Sequence, residues 1–72
     1  MENELITIAR FNQLNEAYLV KSRLESEGIE CFIPDEMLAK THWFYLTGEA
    51  GIRLQIKEKD AANALEILEK DG

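Results

Sequence analysis

Two segments of this chain carry the same helical punctuation, and that constrains its fold more than anything else in the sequence. Asn15 opens an apolar-periodic run that closes with Leu24-Glu25-Ser26-Glu27-Gly28. Asp60 opens another, closing with Leu68-Glu69-Lys70-Asp71-Gly72. A short polar side chain at the start accepts a bond from the free N–H groups of a first turn, and a glycine after the last turn takes the left-handed conformation. An alternating apolar strand leads into each helix. The pattern predicts a small α+β domain built of two related halves, occupying residues 1–72 as a single unit.

A chain of 72 residues hides only about three-fifths of the surface that its unfolded form exposes, so a stabilising device is expected. Cys31 is the sole cysteine, which excludes an internal disulfide. One Cys and one His fall short of the roughly four ligands of a closed zinc site. Self-association is the device that remains. Acidic residues outnumber basic ones 14 to 8, for a net charge of -6, and the basic residues are scattered. That argues against nucleic acid, whose binding rests on clustered Lys and Arg, and against an anionic membrane surface. The opening Met-Glu-Asn-Glu lacks the features of an export signal. No run approaches the roughly 20 apolar residues of a membrane span. The expectation is a soluble, cytoplasmic protein.

Along the chain, Leu5 to Phe11 reads as a first strand, with Ile6 and Ile8 on one face and Thr7 and Ala9 on the other. A helix is predicted from about Glu16 to Glu27. Leu14, Ala17, Tyr18, Val20 and Leu24 share its inner arc, Lys21 lies at the margin and Leu19 lies nearly opposite. Ile29 to Ile33 alternates as a second strand that Pro34 stops. Pro34 to Gly51 has no clear period. Asp35 to Lys40 suits one helical turn, and Trp43 to Leu46 reads either as a short strand or as a folded-back loop. Ile52 to Lys57 is the cleanest strand, with Ile52, Leu54 and Ile56 facing in. A second helix follows from about Ala61, its inner arc formed by Ala61, Ala64, Leu65, Ile67 and Leu68.

The order β-α-β-β-α is a split β-α-β arrangement. It predicts a ferredoxin-like, three-stranded antiparallel sheet of order 1-3-2, with both helices on one face and the fourth strand of the complete fold absent. The first strand then has an edge whose unpaired backbone groups offer a template for another chain.

Asn15-Glu16-Ala17, Val20-Lys21-Ser22-Arg23-Leu24 and Glu27-Gly28-Ile29-Glu30-Cys31-Phe32 resemble the first half of a family of small bacterial proteins described as "putative prokaryotic signal-transducing protein". Asp35-Glu36, Gly51-Ile52-Arg53-Leu54-Gln55-Ile56 and Asp60-Ala61-Ala62-Asn63-Ala64-Leu65 resemble its second half. The likeness covers nearly the whole chain. Its motifs are caps, core positions and turns, so they identify a fold rather than a reaction. The resemblance implies a ferredoxin-like sheet similar in shape to the nitrogen-regulatory PII and CutA proteins, and a bacterial source. It brings no catalytic residue. The long nucleotide-binding loop of the PII proteins has no counterpart here, so their regulation transfers only by analogy of fold.

Cys31 alternates with Ile29 and Ile33 and reads as a buried structural group, its acidic neighbour Glu30 raising rather than lowering a thiol pKa. His42, the single histidine, reads as a loop residue stacked on Trp43. A metal reading, with Asp35 or Glu36, needs a further imidazole or thiolate, which a second His42 across a symmetric interface would supply. Trp43, Phe44 and Tyr45 either line a small ligand site or lid a thin core. A pocket here would be walled by Asp35, His42, Trp43 and Tyr45. Phe32 projects from the sheet face opposite the helices. With Thr7 and Ala9, and with Trp43 and Phe44, it makes a candidate interface. Gly48 and Gly51 precede a strand and lack a following Lys-Ser/Thr, so they do not make a phosphate loop. With no catalytic constellation, metal set or cofactor motif, the sequence reads as a regulatory or interaction module rather than an enzyme. The expected partner is a second copy or another protein. The alternatives are a small-ligand or metal sensor using the 34–51 loop, and a structural fragment completing a larger assembly.

Overall fold

The computed structural model describes residues 4–37 and 51–71. Three strands, β1 (Leu5–Phe11), β2 (Cys31–Phe32) and β3 (Ile52–Lys57), form an antiparallel sheet of order β1-β3-β2. Helix α1 (Leu14–Ser26) joins β1 to β2, and α2 (Ala61–Asp71) follows β3 through a 3₁₀ turn, Glu58–Asp60. This is the ferredoxin-like α+β arrangement that the order of elements predicts.

The central strand organises the core. Ile52, Leu54 and Ile56 alternate inward and are 2%, 0% and 0% exposed, while Arg53, Gln55 and Lys57 lie half-buried on the other side. Ala17 and Leu24 from α1 and Ala64 from α2 join the same buried cluster, so both helices cover one face. Leu14, Tyr18 and Val20 pack at its margin. Leu19, opposite them on the helix, is 71% exposed.

The turn after α1 shows why the sequence signal at Gly28 is reliable. The Ile29 N–H donates to Leu24 O and the Gly28 N–H to Glu25 O, both at 3.0 Å. With Gly28 at φ +88°, these two bonds satisfy the last carbonyls of the helix as a Schellman motif. They also press Ile29 and Leu24 into the core together. The regular β2 ladder is consequently only Cys31–Phe32, shorter than the expected Ile29–Ile33. The inward alternation of Ile29, Cys31 and Ile33 holds nonetheless. At its far end, Pro34 begins a turn and Glu36–Met37 adopt helical backbone.

Three further features depart from expectation. Helix α1 starts at Leu14 rather than near Glu16, so Asn15 sits within the first turn. The cap position is Gln13, which makes no side-chain cap bond. Burying Leu14 against the core outweighs the preference for an Asn cap. In α2, Leu65 is 51% exposed, since Ala64 and Ile67 centre the buried arc away from it. The third departure lies in β1. Thr7 pairs with Gln55 but Ala9 pairs with Leu54, leaving Ile8 as the extra residue of a β-bulge. The bulge flips the alternation, so Ala9 faces inward beside Ile6 instead of sharing a face with Thr7.

Beyond β1, the 3₁₀ turn extends the sheet by one bond, from the Glu58 N–H to Glu4 O at 2.7 Å. Among the described residues no helix is long and apolar enough to cross a membrane.

Candidate functional site

With both helices on one face, the other face of the sheet is formed, among the described residues, by the outward side chains of the strands. Register places three of them in a row: Thr7 opposite Gln55, and Gln55 opposite Phe32. The Gln55 Nε2 donates to Thr7 Oγ1 at 3.0 Å, which ties β1 to β3 across this face. Phe32 lies half-buried beside the amide. To one side of the row, Leu5 pairs with Lys57 and is 42% exposed. The Lys57 ammonium reaches Glu30 Oε1 at 3.5 Å. To the other side Arg10 pairs directly with Arg53.

Two like charges facing each other across a ladder repel, and Asp35 offsets that repulsion. Its carboxylate accepts from Arg53 Nε at 3.1 Å, from Nη2 at 2.9 Å and from the Arg53 backbone N–H at 2.9 Å. Extending the β2–β3 register by two residues brings Pro34 opposite Arg53. The Asp35 side chain thus supplies an acceptor to the central strand where the β2 backbone leaves the sheet. Hydrogen bonds from Arg53 are the leading cause that holds the Asp35 carboxyl below its ordinary pKa, and burial opposes them. The same bonds raise Arg53. One residue on, the Glu36 carboxylate accepts from the Tyr18 hydroxyl of α1. The chain leaving β2 is therefore pinned on both sides of the sheet, and the 34–51 connection starts from a fixed point.

The expected interface residues separate on this frame. Thr7 and Phe32 come together through Gln55, whereas Ala9 lies against the core because of the bulge. Asp35, expected in a pocket wall, is engaged with Arg53. His42, Trp43, Phe44 and Tyr45 lie outside the described residues. Sequence reasoning missed the Arg10–Arg53 pair and its link to Asp35. Arg10 and Arg53 are 43 positions apart in sequence, and only the register past the bulge brings them opposite.

Cys31 is 4% exposed and its thiol reaches Ile29 O at 3.6 Å. Burial first, then Glu25, push its pKa up to about 11, so it carries no thiolate at neutral pH. Among the described residues no three His, Cys, Asp or Glu side chains are grouped to hold a metal. A shallow groove of about 310 Å³ lies between the end of α1 and α2, with Ile29 and Ile67 in its wall and Glu27 and Asp60 at its rim. Lys70 there pairs with Glu66 at 3.6 Å.

The family match decides what this arrangement belongs to. A family described as "putative prokaryotic signal transducing protein" matches residues 5–71. The chain belongs to that family. Neither a curated protein nor a solved structure gave a match. The Asp35-Glu36 pair now has a physical role, since these two side chains hold β3 and α1 to the start of the long connection. Its glycines are equally structural. Gly28 ends α1, and Gly51, at φ +66°, passes so close to β1 that a Cβ would meet Phe11 O at 3.3 Å.

Proposed function

We propose that this member of the family acts by binding rather than by catalysis, presenting the outer face of its sheet to another protein chain. The observation that carries the reading is the Thr7–Gln55–Phe32 row, an aromatic and a bonded amide set on a face that the helices leave to one side. An aromatic anchor amid polar groups is the usual make-up of a recognition patch. Among the described residues the groups with catalytic potential are already engaged. The one thiol is buried and protonated, and the best-placed carboxylate is spent on an arginine.

The edge of β1 is a weaker docking element than its position in the sheet first suggests. The bulge at Ile8 and the charge at Arg10 are both devices that blunt an edge strand against pairing. They leave the face as the better surface. The partner is a second copy or a different bacterial protein in the cytoplasm, and signalling would follow from occupancy of this face.

Sedimentation velocity across the micromolar range, together with capture on immobilised protein, tests the reading with wild type and Phe32→Glu. Phe32 lies outside the buried cluster, and circular dichroism of the variant checks that it is folded. The reading requires that self-association or partner capture falls sharply in Phe32→Glu. Identical association and capture by the two proteins would refute it.

A further inference from the structure

The groove of about 310 Å³ between the end of α1 and α2 lies in the helix layer, away from the outer sheet face. Its volume falls at the lower end of the roughly 300–1,000 Å³ typical of small-molecule sites. Ile29 and Ile67 make its wall apolar, and a carboxylate stands on each side. Glu27 comes from the residue that caps α1, and Asp60 from the 3₁₀ turn that leads into α2. Glu30, Asp35, Glu36 and Glu66 are each engaged by a lysine, an arginine or a tyrosine. The side chains of Glu27 and Asp60 make no hydrogen bond or ion pair among the described residues. Glu25 and Asp60 both act on the buried Cys31 thiol, opposed by Lys21, so the end of α1 and the start of α2 converge in one negative field. Helix α2 is lightly anchored beside it. Ala64 is its one fully buried side chain among the described residues, and Ile67 and Leu68 pack only at the margin of the core.

We infer that this groove binds a small aliphatic diamine, its two ammonium groups received by Glu27 and Asp60 and its methylene stem lying on Ile29 and Ile67. The site is separate from the outer face of the sheet and does not depend on it. Charge complementarity argues for a dication with an apolar spacer over the alternatives. An anionic ligand would meet Glu27, Asp60 and Glu66, while Lys70 is already paired with Glu66. A neutral apolar ligand would strip water from two carboxylates without replacing it. A hard metal ion prefers six or more oxygen ligands, and among the described residues no three His, Cys, Asp or Glu side chains are grouped to hold one. A diamine answers both carboxylates at once and ties α2 to the end of α1. It therefore favours the folded state.

The test uses the full chain, ¹⁵N-labelled, titrated with putrescine. Butylamine and magnesium chloride at matched ionic strength are the comparison arms. The expected result is a set of saturable amide shifts at Gly28, Ile29, Asn63 and Ile67, with a rise in melting temperature that follows occupancy. Glu27→Gln and Asp60→Asn should each weaken putrescine binding about two- to fivefold, the worth of a partly exposed ion pair. Asparagine keeps the capping ability of aspartate, so the start of α2 is preserved. Glu69→Gln, exposed on α2 and outside the groove, should leave binding unchanged. Equal affinity for butylamine would overturn the clasp by two carboxylates. Equal affinity for magnesium, or equal weakening by all three variants, would show an acidic surface that merely collects cations and would overturn the site. Shifts at Thr7, Phe32 and Gln55 instead, or no saturable shift, would overturn this inference while leaving the binding face of the sheet to its own test.

Discussion

Replacing Gly51 by alanine should destabilise this protein more than the same change at Gly28, and the difference comes from one contact. Both glycines lie in the left-handed region, at φ +66° and +88°, where an L side chain costs about 1–2 kcal/mol. Alanine recovers about 0.4–1 kcal/mol of that by restricting the unfolded chain. At Gly28 nothing lies within 4 Å of the added Cβ, so the net loss there is about 1 kcal/mol. At Gly51 the Cβ meets Phe11 O at 3.3 Å and Arg10 Cβ at 3.4 Å. The nearest atom is backbone in a paired strand and cannot swing aside, which adds about 1–2 kcal/mol of overpacking. Gly51→Ala should therefore lose about 2–3 kcal/mol, a large part of the roughly 4–10 kcal/mol expected for a domain of this length. In urea unfolding the midpoint should fall without a change in slope. The melting temperature should drop by about 8–24 °C, against about 4–8 °C for Gly28→Ala. Equal losses in the two variants would refute the close approach of Gly51 to β1. That approach helps to fix the register that sets Arg10 against Arg53.

Other expectations follow from the same packing. Asp35→Asn should lower the melting temperature at neutral pH. Its carboxyl is held below the usual pKa by Arg53, so its contribution is present above the unfolded pKa and is lost as pH falls through the folded one. The gap between wild type and variant should close on acidification below 3.8, the ordinary value of an aspartate, and a gap that stays constant would rule out the charged pair as its source. Leu54→Ala, at a fully buried site on the central strand, should cost about 2–5 kcal/mol in chemical denaturation. The Cys31 thiol should resist alkylation in the native protein and react once urea unfolds it, at rates that track the unfolded fraction. Rapid labelling of the native form would contradict its burial.

How much of this was legible in the sequence depends on the range of the signal. The bounds of β1 and β3, the inward set Ile52, Leu54 and Ile56, and the end of α1 at Gly28 are local. They are written in alternation and in one glycine, and they appear as expected. The start of α1 was misplaced because the burial of Leu14 is a tertiary effect that Asn15 could not reveal. The bulge at Ile8 left no trace, since Ile6 and Ile8 alternate normally and only the partner strand determines where a residue is extra. That single residue turned Ala9 from the expected interface toward the margin of the core. The Asp35–Arg53 pair spans 18 positions and was equally invisible, although the resemblance to the family had already singled out Asp35 and Glu36. The family assignment came from caps and core positions, so it could be read without any knowledge of the site.

Amide hydrogen exchange on the full chain, free and then saturated with the partner it captures or with its own second copy, tests the binding face most directly. Four large apolar side chains are exposed among the described residues, Leu19 and Leu65 on the helices, Met37 after β2 and Leu5 on the sheet, so helix-mediated docking is a real competitor. Binding through the outer face predicts new protection in β1 and β2 around Thr7 and Phe32, with α1 and α2 unchanged. Protection gathered around Leu19 or Leu65, with the strands unaffected, would contradict the account.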